Sequence, residues 1–169
     1  MRETVTLWAV AYRYWHGRVV GRAATQVWHG YASVLFVESG PLTPADYKLR
    51  DGTPGKPKGR YKLTTMDSYA AWELRINDRI IATSEHPYRQ IERGLNRLAG
   101  RRLSSLLIDA STGCSRLEFS GGLTLTTTEL NRRFCRQPHW LLRLGPDDYR
   151  CVILPGTGSR FHFRGAEAP

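Results

Sequence analysis

The chain has 169 residues, 41% hydrophobic and 24% charged, which leaves room for a single domain and excludes a disordered tail or a coiled coil. Its 25 Lys and Arg stand against 15 Asp and Glu, a formal charge of +10, so any macromolecular partner should be acidic or neutral. No apolar run approaches the roughly 18 residues of a membrane span, and Met1 leads into an aromatic-rich segment with no small-residue cleavage site, so no membrane association and a cytoplasmic location are expected.

Taken in chain order, residues 5–14 carry apolar bulk on both faces, the pattern of a strand covered on two sides. Residues 23–28 and 31–38 read as two further strands, the latter rich in β-branched and aromatic side chains. Composition then shifts. Residues 41–60 hold Pro41, Pro44, Pro54 and Pro57 among several glycines, and are expected to form a long basic loop that separates an N-terminal strand region (1–40) from the rest of the domain (61–165). Its prolines and like charges favour a solvated, flexible loop.

The pattern sharpens at Trp72-Glu73-Leu74-Arg75-Ile76, an alternating strand. Asn77-Asp78 is a two-residue turn signal, and residues 79–82 are the returning strand. From Pro87, a common first-turn residue, the period changes to about 3.6 residues. Ile91, Leu95 and Leu98 share one face of a helix over 87–98, Gly100 stops it, and Gly94 makes it depend on packing. Residues 103–109, 115–119 and 123–127 follow as a meander. Residues 128–137 are a helical turn or an irregular crossing, and 139–144, 149–154 and 160–163 return to strand. One antiparallel sheet is expected over 103–154 with the helix packed on it, an α+β fold that is mostly antiparallel sheet with one main helix. Trp72-Glu73-Leu74-Arg75-Ile76 has a faint echo in Trp140-Leu141-Leu142-Arg143-Leu144, each followed by a turn and a partner strand.

Arg89, Arg93 and Arg97 recur every four residues and so line one helix face; Arg101 and Arg102 continue the series. Guanidinium forks in a row suit a phosphate backbone or a row of carboxylates. Lys56, Lys58 and Arg60 in the basic loop are candidates for the same anionic partner, and Trp15 and Trp28, each followed by His and near a glycine, are candidate contact aromatics. His29-Gly30-Tyr31-Ala32-Ser33-Val34-Leu35-Phe36 meets an RNA-recognition signature at several positions, but Ser33 stands where an aromatic would stack on a base.

Catalytic signals are few. The five histidines, His16, His29, His86, His139 and His162, show no metal-ligand spacing, and there is no nucleophile-elbow or Walker pattern. Two histidines and a lysine that converge in space could make a small metal-independent ribonuclease, a third reading that depends on tertiary placement. No catalytic residue, metal or cofactor is assigned. Cys114, Cys135 and Cys151 are too few and too far apart for a disulfide framework, and are expected to be reduced and buried.

From about residue 71 to 163, the order Trp72-Glu73-Leu74-Arg75, Leu98-Ala99-Gly100-Arg101-Arg102-Leu103, Leu117-Glu118-Phe119-Ser120-Gly121-Gly122-Leu123 and His139-Trp140-Leu141-Leu142 resembles small bacterial proteins of immunity type from toxin or defence loci. The shared residues are turn and core positions, so the resemblance implies a fold and brings no catalytic residue. It implies a non-enzymatic binding protein. With this charge, its partner would be an acidic protein such as a toxin or effector. A nucleic acid bound through its phosphates is the alternative.

Overall fold

The computed structural model describes residues 16–30, 33–65, 71–109, 114–127, 140–144, 149–153 and 160–163. Residues 16–19 are helical, and strands β1 (Ala24–His29), β2 (Leu35–Thr43) and β3 (Lys58–Thr65) follow. Then come β4 (Trp72–Ile76), β5 (Arg79–Thr83), the main helix (Tyr88–Leu95) with a 3-10 turn (Asn96–Leu98), and β6 (Leu103–Ile108), β7 (Ser115–Phe119) and β8 (Leu123–Thr127). The last strands are β9 (Trp140–Leu144), β10 (Tyr149–Ile153) and β11 (Arg160–Phe163). They form two antiparallel sheets, in the orders β1-β2-β3-β9-β10-β11 and β5-β4-β8-β7-β6. The fold is α+β, mostly antiparallel sheet, as expected.

The meander after the helix does not remain in one sheet. The free edge of β8 is taken by β4, with Leu74 opposite Leu125, while β9 pairs with β3, with Leu63 opposite Leu142. The sheet expected over 103–154 is therefore split, because an earlier strand already fills the edge that β9 would have joined. The two Trp-x-Leu-Arg strands, β4 and β9, accordingly lie in different sheets.

The basic loop is shorter than the sequence indicates. β2 continues through Pro41 to Thr43, and β3 begins at Lys58. The register shifts between Ser39 and Leu42, and this irregularity accommodates a proline that has no N–H for the ladder. Residues 44–57 carry their own hydrogen bonds, Leu49 N–H to Thr53 O at 2.8 Å and Gly55 N–H to Tyr47 O at 2.9 Å. The strand expected over 31–38 likewise begins at Leu35; residues 5–14, Tyr31, Ala32 and 128–137 lie outside the described residues.

Turn chemistry sets the second sheet. Asn77 and Asp78 both take positive φ, 45° and 67°, the geometry that matches the twist of a two-residue hairpin. Gly121 and Gly122 (φ 82° and 71°) turn β7 into β8, and a Cβ on Gly122 would collide with Asn77 Oδ1. The two turns touch, so this position takes glycine.

The core collects one face of each sheet and one side of the helix. Val27, Leu35 and Val37 come from the first sheet, Trp72, Leu74, Leu117 and Leu125 from the second, and Ile91, Leu95 and Leu98 from the helical segment, as expected. Trp72 is 2% exposed and its indole N–H donates to Ser33 O at 3.0 Å, which ties β4 to the start of β2. At the opposite margin, Gly21 N–H donates to Leu103 O and Ala24 N–H to Arg101 O, joining the entry to β1 with the entry to β6.

The helix lies close to β5 because of Gly94. A Cβ there would fall 2.5 Å from Ala82 Cβ, a distance no real pair adopts. The glycine that weakens the isolated helix permits its docking. Cys114, the residue before β7, is half-buried rather than fully buried. Cys135 lies outside the described residues.

Candidate anion-binding groove

Helical spacing puts Arg89, Arg93 and Arg97 on one exposed face, as the sequence indicates. The close approach at Gly94 sets that face beside the β4–β5 hairpin and leaves a groove of about 500 Å³. Arg79, the first residue after the Asn77–Asp78 turn, lines it with the three helical arginines. Its remaining walls are partly apolar, formed by Ile76, Ile80 and Ile81, and Ile80 is 44% exposed. None of the four arginines makes an ion pair with a carboxylate among the described residues. Four guanidinium groups around an apolar strip can donate in pairs to the oxygens of an anion, with the isoleucines as apolar surface between them.

The sequence pattern alone did not mark Arg79. The turn signal locates its strand, but which side of the hairpin the helix covers is a tertiary choice.

Arg101 and Arg102 do not extend the groove. The chain leaves the helix at Gly100, which has φ 78°, and turns toward β1. Arg102 donates from Nη1 to Gly21 O at 3.0 Å, and the Arg101 guanidinium lies beside the Gly121 turn. Both therefore belong to the β1–β6 junction.

The basic loop residues are also elsewhere. Lys58 pairs with Asp46 at 3.0 Å and lies 5.0 Å from the Tyr47 ring centre. Arg60 is an exposed residue of β3. Lys56 lines a separate cavity of about 290 Å³ against another face of the helix, with Trp28, His29, Tyr88 and Glu92. In that cavity a hydrogen bond with Glu92 raises the Tyr88 phenol above its ordinary range. Both His29 ring nitrogens are buried without a hydrogen-bond partner.

Trp28 is a packed residue more than a contact aromatic. It is half-buried, stacks on Phe36 at 3.7 Å between ring centres, and donates from Nε1 to Glu38 Oε1 at 3.2 Å. Trp15 lies outside the described residues. Glu38, which the sequence did not single out, is 1% exposed. It also accepts from Gly59 N–H at 2.6 Å and from Gln26 Nε2 at 3.3 Å, and pairs with Lys62 at 3.4 Å. Lys62 in turn lies over both rings, 4.4 Å from the Phe36 centre and 5.2 Å from that of Trp28.

Among the described residues no group of three or more His, Cys, Asp or Glu side chains is arranged to hold a metal ion, and no helix is long and apolar enough to cross a membrane. Comparison with protein-family models, with curated proteins and with solved structures finds no match.

Proposed function

We propose that this chain is a non-enzymatic, cytoplasmic binding protein of immunity or inhibitor type, and that it docks an acidic partner protein through the helix–hairpin groove. One observation carries the reading: Arg79, Arg89, Arg93 and Arg97 converge on a single groove and none is neutralised by a carboxylate of the described fold. Folding does not require such a cluster, since like charges on neighbouring positions repel. A partner carboxylate supplies the missing charge. The apolar strip of Ile76, Ile80 and Ile81 favours a protein ligand, because a phosphate backbone has no use for it.

The experiment uses a fluorescent polyglutamate peptide as the probe of carboxylate chemistry, titrated by anisotropy. Replacing all four arginines by Ala should abolish binding, while Arg116→Ala should leave it unchanged, since Arg116 is already paired with Glu118 at 2.8 Å. A quadruple variant that binds the peptide as well as the wild type removes the groove from the function.

A further inference from the structure

β1 is an edge strand of the six-stranded sheet, and its open side faces the cavity of about 290 Å³ beside the helix. Five consecutive residues, 25–29, line that cavity. A cavity over the face of a strand meets alternate residues, so this one runs along the strand's edge. Pairing with β2 sets which backbone groups point there. Gly30 N–H donates to Val34 O at 2.8 Å, Trp28 lies opposite Phe36, and Gln26 lies opposite Glu38. Hydrogen-bonded pairs alternate along an antiparallel ladder. Gln26, Trp28 and Gly30 therefore bond to β2, and Val27 and His29 turn their N–H and C=O groups outward to the cavity. Among the described residues no strand pairs with them. The same edge is already in use at Ala24, whose N–H donates to Arg101 O and whose C=O accepts from Gly100 N–H, both at 2.8 Å. With the antiparallel bridge of Ala23 and Arg102, residues 100–102 begin an outer ladder, which stops where the cavity opens.

The opposite wall is the helical segment. Tyr88, Glu92 and Asn96 recur every four residues, each one position before a groove arginine, so this cleft and the arginine groove flank the helix on different sides. Tyr88 lies 6.0 Å from His29 between ring centres, while Gly100 meets Ala24, so the helix runs antiparallel to β1. The eight steps from Tyr88 to Asn96 rise about 12 Å, and the four steps along 25–29 cover about 13 Å, the length of an extended segment of about four residues. Val27 and Leu95 form the buried floor. The rim carries one cation, Lys56, and one carboxylate, Glu92, both exposed, so it does not select a charged guest. Val27 is 7% exposed, so little water reaches its outward groups, and the His29 ring nitrogens are buried without a partner. Buried polar groups left unpaired are rare in folded proteins.

We propose that this cleft takes an uncharged, extended segment of a partner protein, which adds as a further strand to β1 and continues the ladder that residues 100–102 begin. The guest's backbone bonds to Val27 and His29. An extended polypeptide offers donors and acceptors in alternation at the spacing of two strand residues, about 6.6 Å, and main-chain pairing supplies the affinity in recognition of this kind. Alternate guest side chains face the helix, where Leu95 and Ala99 give apolar contact. The groove reading above does not enter the argument, because its arginines take no part.

The probe is a fluorescein-labelled hexapeptide of alternating threonine and valine, residues suited to an extended backbone, titrated by anisotropy. It should bind the wild type. Strand addition depends on the backbone, so the same peptide N-methylated at every residue, which keeps its side chains and loses its donors, should not bind. His29→Pro deletes an outward N–H that the sheet does not use, a change that an edge strand tolerates, and should weaken binding at least about tenfold. His29→Ala keeps that N–H and should bind nearly as the wild type does. Equal loss in both variants would make the ring, not the edge, the point of contact, and the proposal falls. It falls also if His29→Pro binds unchanged, if the methylated peptide binds as well as the first, or if the first does not bind at millimolar concentration. The methylated peptide is measured on the wild type, so the test stands even where His29→Pro folds poorly. The quadruple groove variant should bind the hexapeptide as the wild type does, and His29→Pro should leave polyglutamate binding unchanged, so failure of one reading is separable from failure of the other.

Discussion

Cations in two regions of this protein have opposite circumstances. Around β2 and β3, Lys58 faces Asp46 and Lys62 faces the buried Glu38, which also holds Trp28, Gln26 and the Gly59 backbone. In the helix–hairpin groove, Arg79, Arg89, Arg93 and Arg97 have no carboxylate among the described residues. Both regions carry an excess of basic residues when charge is counted along the chain. In the first, the charge is part of the fold. In the second, the fold holds the charge in place and leaves it unneutralised, which is the condition a binding surface needs.

The sharpest way to break this contrast is Glu38→Ala. It strands the Trp28 indole N–H, the Gly59 N–H and a half-buried Lys62, and should cost about 3 kcal/mol in chemical denaturation. A loss too small to measure would mean that the β2–β3 cations are no more structural than those of the groove.

Gly94→Ala tests the groove's own wall. Better helix propensity favours alanine by up to about 1 kcal/mol, but the new methyl would meet Ala82 Cβ at 2.5 Å. Overpacking of this kind costs about 1–3 kcal/mol, so the net effect should be destabilisation by about 1 kcal/mol, with weaker polyglutamate binding as the helix moves off β5. A more stable protein with unchanged binding would show that the close approach is not needed.

The exposed pair Lys58–Asp46 marks the lower end of the structural class. Asp46 is 86% exposed, so Lys58→Ala should cost less than about 1 kcal/mol. Replacing Arg89, Arg93 and Arg97 together should change stability by no more than about 0.5 kcal/mol, since the buried face of Ile91, Leu95 and Leu98 is untouched. An unfolded triple variant would place these arginines with Glu38 and Lys62 as structural groups.

The smallest effect concerns acid. The hydrogen bond from Arg75 holds the Glu73 carboxyl below the ordinary glutamate range. A depressed carboxyl contributes stability above its unfolded pKa, about 4.3, and loses it as pH falls through the lower folded value. Melting between about pH 5 and pH 3 should therefore fall slightly less steeply for Glu73→Gln than for the wild type. Identical profiles would mean that this surface pair contributes nothing to folding.

Local rules made several elements legible in the sequence. Alternation marked β4, β7 and β8, the Asn77-Asp78 turn marked the hairpin, and the spacing of Ile91, Leu95 and Leu98 marked the helix face, with the arginines displaced from it. Each depends on residues within a few positions of one another, where backbone conformation and side-chain period act directly. β3 was not legible, because a Pro- and Gly-rich stretch runs into it and its pairing with β2 crosses an irregularity at Pro41.

What only tertiary structure decided is how these local pieces meet. Pairing of β4 with β8 placed β9 in the other sheet, and so set Arg143 opposite Lys62. The close contact of Gly94 with Ala82 brought Arg79 to the helical arginines, while the left-handed turn at Gly100 took Arg101 and Arg102 away from them. The physical reason is the same in each case. Edge occupancy and close approach depend on groups far apart in the chain, and a sequence read by local period carries no term for them.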